Sequence, residues 1–288
     1  MINNLPQPIK DLGKATLGKA ADKFVDFVIT KYTGKSIKVF EAEGDIEADK
    51  VKSKWEILEK PFWLQAEAAK MNRQYSNFGN TLLKAGPLVT EVDSKIKDDN
   101  DFFWGLLEHS KEISNEEMQD LIAKIIAGEY NKPGSYSMST LQSIKMLGKE
   151  ELELFEKISS LLINGDSIPQ NIFSFPENAK EFLGELKIDF GSLQILQNLG
   201  LFLPNDMSRS LPNPEKKKFA VQYFDQQIIF EPNHEKNFDI NMPGFFGLSV
   251  TGKQLLNHLN PKFNDKYFTW LKESYKIPNY KIVEDKKE

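Results

Sequence analysis

Glu116, Glu117, Asp120 and Glu129 are the acidic side chains of one amphipathic stretch. Residues three or four apart share a helix face, so paired carboxylates there could in principle share a proton in acid–base work. The same acids stand just after Ser114, where a helix start favours negative charge, and capping is the expected role. His109, His234 and His258 are the three imidazoles. None has a partner at His-x-x-x-His or His-Glu-x-x-His spacing, so no metal set is expected. No Gly-x-Ser-x-Gly elbow occurs, and the chain has no cysteine, which excludes thiolate nucleophiles, thiolate metal sites and disulfides. Gly34-Lys35-Ser36 lacks the glycine a phosphate loop needs five residues earlier, where Ile29 stands, and it follows a helical segment. Thr251-Gly252-Lys253 fails for the same reason. The expectation is a protein with no catalytic set, no metal and no cofactor, and the motifs identify no small-molecule substrate.

Basic groups offer a second chemistry. Lys216, Lys217 and Lys218 precede a strand-like segment, and Lys253 opens a helix; such lysines can touch phosphates without reading sequence. Against this, the net charge is −5 and only Arg73 and Arg209 are arginines, the preferred fork for bidentate phosphate or guanine recognition. Without a basic leader followed by an apolar run, or an apolar run of about 18 residues, the expected location is the cytoplasm.

The elements that would position these groups are mainly helical. Residues 9–32 carry Leu17, Ala21, Phe24, Val28 and Tyr32 at helical spacing with lysines elsewhere, a core helix or, alternatively, an interfacial membrane helix. Residues 36–83 are charged with a thin apolar seam that includes Trp63, Leu64, Ala68, Met71, Tyr75 and Phe78. That pattern suits an oligomerisation arm or an outer bundle helix. Asp98 to Ser110 starts a further helix. A Ser114–Glu117 capping box opens the next, with Gly128 and Pro133-Gly134 as its stop. Ser137 or Ser139 can cap a helix through Leu141, Ile144 and Leu147, and another spans Glu150 to Leu162. After Pro169 the pattern becomes a short helix over Asp189–Leu199, an exit at Gly200, strands over Phe219–Phe230 and Phe245–Val250, and a helix from Gln254 that Thr251 can cap.

The order helix, Leu-Gly-Leu, β-hairpin and Val-Thr-Gly-Lys-Gln-Leu-Leu resembles a winged helix. The expected architecture is mainly α: a helical domain over 1–164, then a winged-helix-like α+β domain over 165–288. Ser114, Met118-Gln119, Leu121, Ala123-Lys124-Ile125, Ala127-Gly128-Glu129, Pro133-Gly134-Ser135, Ser137, Thr140-Leu141 and Leu147 resemble the signature of the bacterial family called domain of unknown function 2806. Asn72-Arg73-Gln74, Asn77 and Asp101-Phe102-Phe103 fit its lead-in. Ile122 stands where members usually have tryptophan and Ser139 where they have arginine, which marks a divergent member. More distantly, the layout resembles the Abi-alpha group, linked to abortive infection by phage. The resemblance implies no reaction. It implies a role in bacterial host–phage conflict or a mobile-element setting. The expected function is a non-enzymatic interaction protein, an antiphage or stress-response component, with Met118, Gln119, Glu129, Ser135, Ser137 and Thr140 as candidate partner-binding residues. A protein partner or self-association is expected; DNA through the C-terminal domain, and a membrane surface through residues 9–32, are the alternatives.

Overall fold

The computed structural model describes residues 18–33, 62–92, 95–174, 176–205, 207–212, 215, 217–233 and 239–283. The charged stretch before Pro61, Lys216 and His234 lie outside them. The chain separates into two compact units, Met1–Leu141 and Gln142–Glu288, whereas the sequence reading placed its boundary at 164. The helix after Gly148 belongs with the second unit because its apolar face, Leu152, Phe155 and Ile158, is buried there.

In the first unit the described elements are α1 (Lys19–Thr33), α2 (Phe62–Ala85), a 3-10 turn (Gly86–Leu88), α3 (Asp101–Ser110), α4 (Glu116–Asn131) and the start of α5 (Met138–Met146). Helix α4 is the centre, and α2, α3 and the 3-10 turn pack on it. It is buried nearly all round, from Met118 through Tyr130, as a helix surrounded by others must be. Helix α1 places Phe24, Val25, Val28 and Ile29 in the core, with the Phe24 ring edge-on to Tyr130 at 4.9 Å.

Asparagines start these helices. The Asn100 side chain accepts from Phe103 N–H at 2.9 Å and the Asn115 side chain from Met118 N–H at 3.0 Å. The cap of α4 is therefore Asn115, one residue after the expected Ser114. Ser114 instead accepts from Asn77 Nδ2 at 3.1 Å, fastening α2 to the head of α4. Nor does Gly128 end α4, which continues to Asn131. Gly128 is there for space: a Cβ on it would lie 2.7 Å from the Tyr136 hydroxyl.

The second unit is mixed α+β. It contains α6 (Lys149–Ser159), β1 (Ser167–Pro169), α7 (Asn171–Ser174), α8 (Pro176–Leu186), α9 (Phe190–Asn198), β2 (Met207–Leu211), β3 (Phe219–Tyr223), β4 (Gln226–Pro232), β5 (Ile240–Gly247), α10 (Val250–Leu256), α11 (Asp265–Ser274) and β6 (Tyr280–Val283). Two small antiparallel sheets form, in orders β1-β5-β2 and β3-β4-β6. The strand expected over Phe219–Phe230 is itself a hairpin, with Tyr223 paired to Gln226 across Phe224-Asp225. Phe224 has φ of 51°, and the buried positions switch from Val221 and Tyr223 to Ile228 and Phe230, so the parity breaks at the turn. The second expected strand, from Phe245, belongs to β5 and pairs with β1 and β2. Ser249 caps α10, accepting from Gly252 N–H at 2.9 Å, while the expected cap, Thr251, is buried.

Candidate functional site

Glu129 stands in the last turn of α4, where the helix dipole disfavours a negative charge, and it is only 1% exposed. Its carboxylate accepts four hydrogen bonds. Oε1 receives Gly134 N–H at 2.7 Å and Asn100 Nδ2 at 3.0 Å. Oε2 receives Ser135 N–H at 3.0 Å and Tyr136 N–H at 3.3 Å. Three successive backbone N–H groups make a concave anion nest, and its occupant is the chain's own carboxylate. Gly134, with φ of 84°, supplies the left-handed residue that turns these N–H groups inward.

Tyr136 closes the node. Its ring stacks on Phe102 at 5.5 Å and lies over Gly128. Burial, and then the Glu129 charge, push its phenol up to about 12. Two residues beyond Glu129, Asn131 clamps another segment: its Oδ1 accepts from Thr90 N–H at 2.9 Å and Glu91 N–H at 3.2 Å, and its Nδ2 donates to Leu88 O at 3.0 Å.

The signature positions converge on this scaffold. Met118 and Thr140 are buried, and Gln119, also buried, donates from Nε2 to Ile113 O at 2.8 Å. Ser135 and Ser137 are half-buried. The Ser135 hydroxyl donates to Lys132 O at 2.6 Å, and Ser137 shares hydrogen bonds with Ser139 and Thr140 while capping α5. Asn100, Asn131 and Tyr136 are the members sequence reasoning did not single out. Their signals are asparagines flanking helices and an aromatic eight residues after a helical glycine.

A family model described as protein of unknown function, DUF2806, matches residues 67–272. The chain belongs to the DUF2806 family. No curated protein and no solved structure matches it.

Elsewhere in this DUF2806 chain the other candidates are spent in local contacts. Lys84 bridges Asp120 at 2.6 Å and Glu116 at 3.7 Å, so the acids at the head of α4 bind α2. Lys217 pairs with Glu215, Lys218 with Glu231 at 3.2 Å, and Lys253 with Asp166 at 2.7 Å. Each described lysine of the expected phosphate-binding set therefore has a carboxylate against it. Among the described residues no group of three or more His, Cys, Asp or Glu could hold a metal ion. Among the same residues no helix is long and apolar enough to cross a membrane. The apolar stripe of α1 faces the core of the first unit.

Proposed function

We propose that this is a non-enzymatic interaction protein that self-associates through the first half of α2. One observation carries the reading. Along α2 the positions Tyr75, Phe78, Leu82 and Ala85 follow Met71 at alternating spacings of four and three, a heptad seam. The lower part is core: Phe78 is 3% exposed, and Leu82 and Ala85 are fully covered. The same seam continues upward uncovered, with Tyr75 40% and Met71 37% exposed, and Phe62 stands out at the helix head. An apolar stripe on a helix face, rimmed by Glu67, Lys70 and Arg73, is the usual form of a helical docking surface. The setting we attach to it, a bacterial antiphage or stress response, rests on a distant resemblance of the sequence layout to the Abi-alpha group.

Light scattering tests the reading. The wild type should run as a stable oligomer, and a Met71→Asp/Tyr75→Asp variant should run as a monomer with unchanged circular dichroism. A monomeric wild type would overturn self-association. The same run with duplex DNA separates the alternative. A mass shift on DNA that disappears with added salt would move the function to the second unit and its winged-helix-like reading.

A further inference from the structure

We propose that a cleft in the second unit binds a neutral purine base, presented as a nucleoside. This goes beyond the self-association reading and uses none of its residues. The cleft is a half-open groove of about 430 Å³, within the size range of small-ligand sites. Its apolar part is an aromatic triad. Phe173, Phe190 and Phe246 lie with ring centroids 6.0 to 6.1 Å apart in all three pairs. Phe246 is buried, Phe173 is half-buried, and Phe190 is 45% exposed at the start of α9. Asp189 already caps that helix, so its start does not need a phenylalanine in water. What Phe190 offers is a half-open aromatic ring, and base stacking on an aromatic ring is sequence-tolerant and strong.

Four amides, with Ser174 and Pro204, make up the rest of the lining. Gln170, Gln194 and Asn205 line the cleft, Gln170 half-buried and the other two exposed, so their amides are open to water and to a ligand alike. Gln197 differs, because its Nε2 donates to Leu203 O at 2.8 Å and holds the loop that leads to Pro204. Gln170 is positioned by its backbone N–H, which donates to Gly244 O at 2.7 Å. Any Cβ at Gly244 would meet the Gln170 Oε1 at 2.1 Å, so that glycine keeps the amide's place open. A free amide presents a donor and an acceptor side by side, the pattern that matches the N6 and N7 edge of adenine.

Charge decides the rest of the ligand. No charged side chain lines the cleft among the described residues. A phosphate has nothing there to bind, so affinity should not depend on salt and a 5′-phosphate should add nothing.

The test is titration calorimetry on the full chain with adenosine, uridine and AMP at low and high salt. Saturable adenosine binding, equal at both salts and no tighter for AMP, is the expected result. Phe190→Ala should weaken it about tenfold or more, with a cooperative thermal melt retained. Gln194→Leu keeps the side-chain bulk and should narrow the preference for adenosine over uridine. The proposal is overturned by an absence of saturable adenosine binding, by undiminished binding in folded Phe190→Ala, or by binding that prefers AMP and fades with salt.

Discussion

Glu129 in the first unit and Tyr223 in the second meet the same need with different chemistry. Each is a buried polar side chain that satisfies backbone groups, those of the following loop for Glu129 and those of two segments distant in sequence for Tyr223. Glu129 is an acceptor only, and it gathers three backbone N–H groups and one amide. The Tyr223 hydroxyl does both jobs: it donates to Ser160 O at 2.8 Å and accepts from Asn264 N–H at 2.9 Å. A loop that turns three N–H groups one way requires an anion, whereas one carbonyl and one N–H facing each other require a hydroxyl. The difference teaches where each unit is brittle. The nest fails when its charge is removed, and the phenol fails only when its single oxygen is.

The largest effect should follow from emptying the nest. Glu129→Ala leaves the part-buried N–H groups of 134–136 without an acceptor and should destabilise the protein by about 3 to 4 kcal/mol. Glu129→Gln keeps the shape but turns an NH₂ toward the donors, and should cost about half of that. Denaturant unfolding measures both. If Gln and Ala cost the same, the shape of the side chain would not matter, and if neither costs more than a surface change, the nest would not hold the loop.

The glycines extend the contrast. A Cβ on Gly252 would lie 2.1 Å from the backbone carbonyl oxygen of Leu201, which cannot swing aside. Gly252→Ala should therefore cost about 3 kcal/mol. A Cβ on Gly128 would meet only the far end of Tyr136, its hydroxyl at 2.7 Å and Cε2 at 3.3 Å. Gly128→Ala should cost about 1.5 kcal/mol, and Tyr136→Phe in the same chain should return part of it. Thermal melts of the two single variants and the double variant check the order. A larger cost at Gly128, or no rescue by Tyr136→Phe, would show that the ring is not what the glycine accommodates.

These positions also mark what can be read in a chain. Helical periodicity located α1, α3, α4, α6 and α9 because their apolar stripes are local and regular. The DUF2806 signature at 114–147 was visible as a pattern, but its meaning was not. Nothing in Glu129-Tyr-Asn-Lys-Pro-Gly-Ser shows that a carboxylate in the last turn of a helix folds under the following loop. That depends on a glycine with φ of 84° and on an asparagine 29 residues earlier. Gly128 looked like a helix stop because glycine often is one. Only the position of Tyr136 reveals its role as clearance. In the second unit the hairpin at Phe224-Asp225 escaped because no Asn-Gly or Asp-Gly pair announces it. The cleft of Phe173, Phe190 and Phe246 joins residues from three elements, so no local spacing could show it.

Tyr223 itself supplies an effect of the size expected at Gly128. Tyr223→Phe keeps the ring against Phe263, Tyr267 and Phe268 and removes only the oxygen that serves Ser160 and Asn264. The cost should be about 1.5 kcal/mol. Its pH behaviour follows from the same burial, which outweighs the hydrogen bond from Asn264 and pushes the phenol up to about 12. A phenol raised in the folded state contributes stability below its unfolded value of about 10 and loses it as pH rises through about 12. Tyr223→Phe should remove this share of the alkaline loss. An alkaline limb of unchanged depth would place that loss on the neighbouring tyrosines alone.

The smallest effect lies at the surface of the second unit, where charge again decides, but in water. Burial pushes the Asp166 carboxyl up. The Lys253 ammonium at 2.7 Å, the Ser167 hydroxyl and the Arg209 charge outweigh it and hold the carboxyl below the usual aspartate range. A carboxyl depressed by folding contributes stability that is complete above its unfolded value, about 3.9, and is lost as pH falls through the lower folded value. Lys253→Met takes away the strongest partner, so the fall in stability between pH 5 and about pH 2 should become shallower, while stability at neutral pH changes little because the pair is solvated. Unfolding titrations of wild type and variant across that range measure the slope. Superimposable acid limbs would mean that water and Ser167 set the Asp166 proton affinity. The lysine would then be free to leave its carboxylate for another anion, and the contrast between a charge locked in a nest and a charge merely paired would be sharper still.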